Sequence, residues 1–506
     1  MTPAGTMDNS LNREILKLAI PSIIANITVP MVGMVAIAVV GHIHDDSLYS
    51  TATLIGGISI GSTIFSLLYW NFSFLRTGTG GLTAQAYGRG DTRECANLLT
   101  RALAIALGSA TAILAIQYLV VRFALMLLDA SPEVEYLAES YFRVRIWAAP
   151  ATLSLMAIKG WFIGMQDGVS PMLTDVVVNG VCIVLCLALA LGIHIGPMDY
   201  AGMGFIGVAY ATLVAQYCGL ALAVILLAAK YRYVFEGFGT KEAVASFQGG
   251  EIRKFFSTNV DLFVRSVCFM GIYIGFTAIS ATFGDLTLAT GTIMMDLMLL
   301  FSYITDGFAY AGEAMVGKYI GAHDPARMRR TTRYVFGWSM GIASLFMVAY
   351  HLWGDVMLGW LTSDADVLAC GMQYVPWLLL MPIVGCAAFT WDGIFTGATA
   401  TRKLRNSMIW AVVSFLAVYF ALDIMFNRGF DLMGLASVSD GTSGSLASDG
   451  TSGSLASDGT LGNGSLAPVH DGTLGLHLML AAYLVHLVVR TVYLSAHYRK
   501  AVLSRL

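Results

Sequence analysis

The sequence predicts an all-α polytopic membrane protein with twelve transmembrane helices, arranged as two six-helix halves related by a pseudo-two-fold axis. Three observations lead to this prediction: an apolar composition, twelve apolar stretches long enough to cross a bilayer, and a weak internal repeat. The 506 residues are 57% hydrophobic and only 12% charged, whereas about a quarter of the residues in a soluble domain are charged. The net charge of −3 offers no basic surface for nucleic acid, which we do not expect as a partner.

The apolar stretches set the expected helices, because a helix needs about 20 residues to cross the hydrocarbon core. They lie at 15–40, 51–75, 97–121, 139–164, 171–194, 201–229, 255–283, 286–312, 332–353, 370–396, 406–427 and 473–497. We therefore expect an N-terminal half at 1–230, a cytoplasmic linker at 231–254 and a C-terminal half at 255–506.

Basic residues crowd alternate loops between these stretches. Arg89 and Arg93 follow the second stretch, and Arg327 and Arg329 follow the eighth, whereas the loop "GHIHDDSLYS" (41–50) contains no Arg or Lys. Under the positive-inside rule this pattern predicts that both termini are cytoplasmic. We expect the chain to lie in the bacterial inner membrane, with the lipid bilayer as its surroundings.

One segment departs from this pattern. Residues 439–467 contain the unit SDGTSGSLA twice, followed by a degenerate third copy. The segment is rich in Gly, Ser, Asp and Thr. Such a composition cannot bury a core. We expect a low-complexity external loop at 437–470, whose repeat is a tolerated expansion rather than a functional element.

The internal repeat appears when the first half is aligned with the second so that residue 87 pairs with residue 320. We call this pairing of residues the repeat alignment. It pairs "YGRGD" (87–91) with "IGAHD" (320–324), and Gly164 of "WFIGMQD" with Gly397 of "IFTGATA". Both pairs fall at equivalent points of six consecutive stretches. The repeat predicts two parallel halves with a transport pathway at their interface.

Polar residues form a stripe on the eighth apolar stretch. At about 100° per residue, one arc about 100° wide contains Thr292, Asp296, Tyr303, Asp306, Tyr310 and Glu313. A carboxylate at the bilayer centre costs about 2.5–3.5 kcal/mol, so such a stripe faces a wet cavity or partner side chains rather than lipid. Asp392, in "FTWDGIFTGAT", is a further buried acid. The acids of the stripe either bind substrate or ion, or are tied structurally by residues such as Lys318 or Arg265.

The sequence contains no convergent Ser/His, Cys/His or metal-ligand constellation, so we expect neither an enzyme nor a cofactor. The only metal that we consider is sodium at the acidic residues. The seven cysteines lie mostly inside apolar runs. The stretch "RTGTGG" (76–81) lacks the Lys-Ser/Thr ending of a phosphate-binding loop and a preceding strand, so we reject that interpretation.

Several motifs resemble the multidrug and toxic compound extrusion (MATE) family, and within it the branch named after DNA-damage-inducible protein F. They are "LAIPSIIANITVPMVGMV", "YWNFSFLRTGTGGLTAQA", "GWFIGMQD", "LFSYITDGFAYAGEAMVGKYIGA" and "WDGIFTGATATRKLRNSM". The resemblance covers nearly the whole chain except 437–470. It implies a twelve-helix, monomeric antiporter that exports small organic compounds, often cationic or amphipathic, against an inward flow of protons or sodium.

The chain departs from the family at its polar centre. The branch usually has Asp where this chain has Ala36, and two polar positions of its fifth span are Cys182 and Cys186 here, although Asn179 is kept. A second-half position that is often Gln is Asp296. Either the second-half stripe supplies the coupling charge that the first half has lost, or the chain is an impaired or divergent transporter. The residues that we expect to bind substrate or ion are Asp296, Asp306, Glu313, Asp392, Asn179, Tyr303 and Tyr310, with Ala36 as the altered position.

Two other functions stay open at this point. A lipid-linked sugar flippase belongs to the same wider superfamily, and abundant arginine lining the spans would favour it, but few arginines are seen within them. A major-facilitator-type carrier also has two parallel halves, although "GRGDTRECANLL" does not match its loop signature. The sequence names neither the substrate nor the coupling ion.

Overall fold

The computed structural model describes residues 9–43, 49–128, 130–195, 198–200, 202–247, 250–362, 364–425 and 472–505. Twelve helical segments of this part are long and apolar enough to cross a membrane, which confirms the predicted all-α fold. The helices are α1 (Asn9–Gly41), α2 (Thr51–Trp70), α3 (Phe74–Gly88), α4 (Thr92–Leu128), α5 (Pro132–Arg145), α6 (Ala149–Gly164), α7 (Val169–Cys186), α8 (Phe205–Lys230), α9 (Thr240–Ala245), α10 (Gly250–Thr282), α11 (Asp285–Gly321), α12 (Pro325–Leu361), α13 (Ala365–Gly397), α14 (Thr401–Asp423) and α15 (Gly472–Ala501). The predicted loop 437–470 lies outside the described residues.

Two of the spans are built from two helices each. Helices α2 and α3 form the second span, and α5 and α6 form the fourth, joined by the 3₁₀ turn Ile146–Ala148. The other spans are single helices, except that α12 has a kink at Trp353, whose φ and ψ are not helical. A π-helical turn at Leu187–Leu191 extends the fifth span. The helix α9 and the 3₁₀ turn Arg232–Phe235 lie in the expected linker between the halves.

A short β-hairpin adds to the helical architecture. Strands β1 (Ile193–Ile195) and β2 (Met198–Tyr200) pair antiparallel, with Ile193 opposite Tyr200. The sequence analysis extended the fifth span to residue 194, but the helical segment ends before Gly192, whose φ of 90° lies in the left-handed region. A residue in that conformation stops a helix, and glycine adopts it without steric cost.

The internal repeat is visible in the backbone. Among the described residues, the non-glycine residues with positive φ are Gln166, His323 and Thr399, at 65°, 53° and 52°. The repeat alignment relates Gln166 to Thr399, and it relates His323 to Gly90, whose φ is 73°. Each of these residues follows the end of a helix, where a left-handed residue closes the last turn. The two halves therefore end equivalent helices in the same way.

Glycines bring the halves into contact symmetrically. A Cβ atom on Gly88 would overlap the backbone carbonyl of Lys318, and one on Gly321 would overlap the carbonyl of Gln85. The repeat alignment relates these two contacts to each other. Small residues of this kind allow helix backbones to approach closely in a membrane. Helices α3 and α11 therefore cross at the interface of the halves, close to the pseudo-two-fold axis.

The ends of α3, α6, α11 and α13 lie at one end of the bundle, which we call the basic end because its loops contain residues such as Arg89, Arg327 and Arg402. Several polar contacts join the two halves there. Gln85 Nε2 donates to the carbonyl of Gly397 at 2.9 Å, and Gln166 Nε2 donates to the carbonyl of Ala314 at 2.8 Å. Lys318 Nζ lies 3.2 Å from Glu14 Oε2. Lys318 therefore pairs with the first span rather than with the acids of its own helix.

The buried apolar residues of the described chain form two clusters. The larger cluster runs through the first six spans and includes second-half residues near the basic end, such as Phe308 and Ile394. The smaller cluster contains only residues of the last six spans, such as Met294, Phe301 and Leu476, which lie toward the other end. The halves therefore share an apolar core at the basic end and have separate cores at the opposite end.

Candidate functional site

A cavity of about 190 Å³ lies at mid-span between the two halves. Helices α3, α10, α11, α13 and α15 supply its polar side chains, together with Ser73 immediately before α3. These are Ser73, Arg76, Thr77, Arg265, Ser266, Ser302, Tyr303, Asp306, Tyr310, Glu313, Asp392, Thr396 and Arg490. Trp70, Phe269, Leu299 and Phe389 add apolar surface. The cavity is therefore amphipathic, and both halves contribute to it.

The predicted stripe of the eighth span supplies four of these residues. Tyr303, Asp306, Tyr310 and Glu313 follow one another at spacings of three or four residues, which places them on one face of α11. Asp306 is half-buried and, within the described chain, has no cation within 4.0 Å and no hydrogen-bond partner. Asp306 is therefore the carboxylate of the cavity that no basic side chain neutralises directly.

Glu313 is almost fully buried and pairs loosely with the first half. Its Oε2 atom lies 3.7 Å from Nη1 of Arg76 on α3. The guanidinium of Arg76 also lies 3.9 Å from the centre of the Tyr310 ring, in a cation–π contact. A Cβ atom on Gly80 would collide with Glu313 Oε1. The stretch "RTGTGG" (76–81) thus supplies a charge to the cavity and the glycine that leaves room for Glu313.

Asp392 of α13 is held by two arginines from different helices. Both Arg265 of α10 and Arg490 of α15 donate to its Oδ2 atom, Arg490 at 2.5 Å. The Arg490 side chain is fully buried. A buried charge needs such a partner, because its desolvation is costly. Arg265, which the sequence analysis considered as a partner for the acids of the stripe, therefore pairs with Asp392 instead.

Three predicted residues lie outside the cavity. Asp296 is exposed on α11, about 15 Å along the helix from Asp306 at 1.5 Å per residue. Asn179 donates to Thr28 Oγ1 at 2.6 Å, between the fifth and first spans. Ala36 is half-buried and packs against the apolar core of the first half. The structure thus gathers Tyr303, Asp306, Tyr310, Glu313 and Asp392, but not these three.

The sequence analysis missed Arg76 and Arg490 of the cavity and named Arg265 only as a structural partner. It noted few arginines within the spans, yet Arg76, Arg265 and Arg490 converge from the second, seventh and twelfth spans. The signal was present, because an arginine inside an apolar stretch, as in "LVVRTVYL", marks a functional position. It also missed Asp175, whose Oδ1 atom lies 2.6 Å from Lys159 Nζ in the first half.

Comparison with known proteins gives a consistent family match. Residues 21–190 and 262–427 match the model of the MatE family, well over half of the chain. The chain is 32% identical to DNA damage-inducible protein F of Escherichia coli (strain K12), over 83% of this chain and 88% of that one. It is 24% identical to human multidrug and toxin extrusion protein 1, over 84% of this chain and 71% of that one.

Solved structures show the same fold. A MATE crystal structure in the bent conformation superimposes with a TM-score of 0.75 at 15% identity, covering 99% of both chains. An outward-facing MATE family transporter of the MOP superfamily superimposes with a TM-score of 0.73 at 17% identity, also over 99% of both chains. At such identities the likeness concerns the fold alone.

Proposed function

This chain belongs to the MatE family of multidrug and toxic compound extrusion transporters, and we propose that it exports organic, amphipathic or cationic compounds by alternating access. It is a multi-pass membrane protein. In our proposal, export is coupled to an inward flow of protons or sodium. We place the chain in the bacterial inner membrane, with both termini and the basic end in the cytoplasm.

The observation that carries this proposal is the position of Asp306. Its carboxylate lines a cavity at mid-span between the halves and has no ion-pair partner within the described chain. An ionised carboxylate in such surroundings is costly unless a cation binds to it. A proton, a sodium ion or the cationic part of a substrate meets this need. We propose that these cations compete at Asp306.

Competition at one carboxylate links the two fluxes. A coupling ion bound in one conformation displaces the substrate, and the substrate binds in the other conformation after the ion has left. Coupling requires that the affinities for ion and substrate differ between the two conformations. The Arg76–Glu313 pair lies one helical turn from Tyr310 and joins the halves within the same cavity. A change in the charge of Asp306 therefore alters the electrostatic potential at this pair.

The packing of the halves supports an outward-facing assignment. The halves share an apolar core and several polar contacts at the basic end, and have separate cores at the other end. With the basic end in the cytoplasm, this conformation is closed toward the cytoplasm. Opening the cytoplasmic side then requires that the contacts of Gln85 with Gly397, Gln166 with Ala314 and Lys318 with Glu14 break.

The coupling charge is assigned to Asp306 rather than to Asp296. Asp296 does not line the cavity that the two halves form, so it cannot exchange a coupling ion for a substrate bound there. The idea that the second half supplies the coupling charge lost at Ala36 remains a prediction, as does the contrary idea of an impaired transporter. The family match removes the major-facilitator alternative.

The flippase alternative has one observation in its favour. Three arginines line the cavity, and guanidinium groups suit the phosphates of a lipid-linked sugar. Three acids, Asp306, Glu313 and Asp392, lie in the same cavity, however, and match the arginines in number. We therefore favour the exporter, and the flippase is an outcome that the following experiment detects.

The test is transport in proteoliposomes of the methyl ester of a rhodamine, a fluorescent organic cation. We expect wild-type protein to move it in response to an imposed proton or sodium gradient. Asp306→Asn should remove this dependence, because the neutral amide cannot exchange a proton or a sodium ion for substrate. The matched control is Asp285→Asn, an exposed acid at the start of the same helix, which should behave as wild type.

Two results would contradict the proposal. Gradient-driven transport that survives in Asp306→Asn would show that another group carries the coupling. Movement of a lipid-linked sugar without any ion gradient, and no movement of the rhodamine ester, would instead support the flippase.

A further inference from the structure

We infer that Arg265 and Arg490 form an anion subsite in the cavity, so that the exported compounds include amphiphiles with a carboxylate, sulfonate or phosphate group. The inference rests on the proposed export function and specifies its substrate class. It follows from the charge of this cluster, from its unpaired donors and from the surfaces around it.

The charges of the cluster do not balance. Two guanidinium groups share one carboxylate, and both donate to the same atom, Asp392 Oδ2. A guanidinium keeps its proton inside proteins, so the three side chains carry one net positive charge. The other acids of the cavity do not bind to these arginines within 4.0 Å in the described chain, since Glu313 pairs with Arg76 and Asp306 has no such partner. The group of Arg265, Arg490 and Asp392 is therefore one anion short by itself, although the whole cavity has as many acids as arginines.

Unpaired hydrogen-bond donors point to the same conclusion. Arg265 Nε, Arg490 Nε and Arg490 Nη1 are buried and have no acceptor among the residues that the structure describes. A buried donor without an acceptor is unfavourable. A carboxylate, sulfonate or phosphate presents several acceptor oxygens, and arginine binds such groups through two parallel bonds. An anionic group would thus supply both the missing charge and the missing acceptors.

The two arginines differ in their access to the cavity. The side chain of Arg265 is 22% exposed, whereas that of Arg490 is fully buried, with Asp392 between them at 11%. A ligand entering the cavity therefore meets Arg265 first. Asp392 acts as a positioning residue, because it holds both guanidinium groups together and neutralises only one of them.

The surrounding walls suit a flat apolar body. Trp70 of the second span stacks on Phe269 of the seventh, with ring centres 5.6 Å apart and planes 7° from parallel. The ring centre of Phe389 lies 5.7 Å from Cζ of the Arg490 guanidinium. All three aromatic residues line the same cavity as Arg265. An aromatic amphiphile would contact these rings while its acidic group reached the arginines.

The subsite is compatible with coupling at Asp306. Asp306 and Arg265 line one cavity, so a zwitterionic compound can place its cationic part at the acid and its anionic part at the arginines. The coupling ion then competes only for Asp306. In this arrangement Asp306 determines the energetics of exchange, and the arginine pair determines which compounds bind.

The experiment measures binding of a rhodamine with a free carboxylate and of its methyl ester to the full chain in detergent, by fluorescence polarisation. We expect wild-type protein to bind the acid more tightly than the ester. In Arg265→Gln the ratio of the acid Kd to the ester Kd should rise about tenfold, because one charged hydrogen-bond partner is lost. Arg143→Gln, a change of an exposed arginine that pairs with Glu139 outside the cavity, should keep the wild-type ratio.

A second variant decides the question if Arg265→Gln does not fold. Arg265→Lys keeps the charge and loses the planar pair of donors, and it should still raise the ratio several-fold. An unchanged ratio in both variants, or wild-type protein that binds the ester at least as tightly as the acid, would overturn the subsite. Binding needs no ion gradient, so a correct Kd pattern without gradient-driven transport would refute the export proposal and leave the subsite standing.

Discussion

The two halves of the protein share one backbone frame but do not share their charges. Gly160 packs against the backbone carbonyl of Arg76, and Gly393 packs in the same way against the carbonyl of Ala309. The repeat alignment relates the members of one contact to those of the other. It also pairs a charged residue, Arg76, with an alanine. Duplicated helices therefore keep their close contacts while their side chains diverge.

The pseudo-two-fold axis explains part of this asymmetry. Gly80 and Glu313 are partners in the repeat alignment, and they also contact each other. Residues that are symmetry mates and neighbours lie near the axis, where only one of them can be large. Glu313 takes this space in the second half, and the first half must have a glycine opposite it. A large charged residue at such a position can therefore be present in only one of the two halves.

The largest expected effect concerns the ion pairs around Asp392 in the second half and around its counterpart in the first half. Asp392→Asn should lower the free energy of unfolding by about 3 kcal/mol, because two guanidinium groups lose their counter-charge. The residue related to Asp392 by the repeat alignment is Lys159, which pairs with Asp175 and is 21% exposed. Lys159→Gln should cost only about 1 kcal/mol, since this pair is less buried and Asp175 has a single cationic partner within 4.0 Å among the described residues. Unfolding of both purified variants in detergent would test the difference, and equal losses would show that the clusters are energetically alike.

A smaller effect is expected at the axis. Gly80→Ala should cost about 1–3 kcal/mol, because the added Cβ meets Glu313 Oε1 and lies 3.2 Å from the carbonyl oxygen of Gly160. Gly108→Ala is the matched control, since nothing lies within 4 Å of its Cβ position, and it should be neutral or stabilising by up to about 1 kcal/mol. Thermal unfolding in detergent measures both changes.

A double variant makes this prediction specific. Gly80→Ala should cost less stability in the Glu313→Ala background than in wild type, because the side chain that collides with the new Cβ has been removed. Losses that simply add would mean that the two positions do not compete for one space.

The smallest effect concerns pH at the basic end. Burial raises the pKa of Asp167, but the hydrogen bonds from Ser170 and Lys230 outweigh burial and hold the pKa below its ordinary value of 3.8. The stability that Asp167 contributes is therefore fully present above that value and is lost as the pH falls through the lowered pKa. The residue related to it by the repeat alignment is Ala400, so only the first half has this acid.

The variant Asp167→Asn should remove this dependence. Its loss of stability should be about 1 kcal/mol or less near neutral pH and should vanish in strong acid. Thermal unfolding from about pH 3 to pH 7 would measure it. A difference from wild type that grows as the pH falls would contradict the assignment.

The periodicity of one helix was enough to find half of the candidate site. Tyr303, Asp306, Tyr310 and Glu313 share a face of α11 because their spacing is three or four residues, and this holds wherever the helix packs. Asp296 belongs to the same stripe, but it lies outside the cavity. A polar stripe can run along the full length of a helix. A cavity borders only the section of that helix from which the neighbouring helices diverge.

The twelve spans, the internal duplication and the polar face of the eighth span follow from the sequence alone, because hydrophobicity and helical period are properties of neighbouring residues. The meeting of Arg76, Arg265 and Arg490 with these acids is a property of the folded molecule, as is the position of Gly80 opposite Glu313. These residues come from spans far apart in the chain. Their encounter depends on how the helices of two halves pack around an axis, which no local pattern of residues encodes.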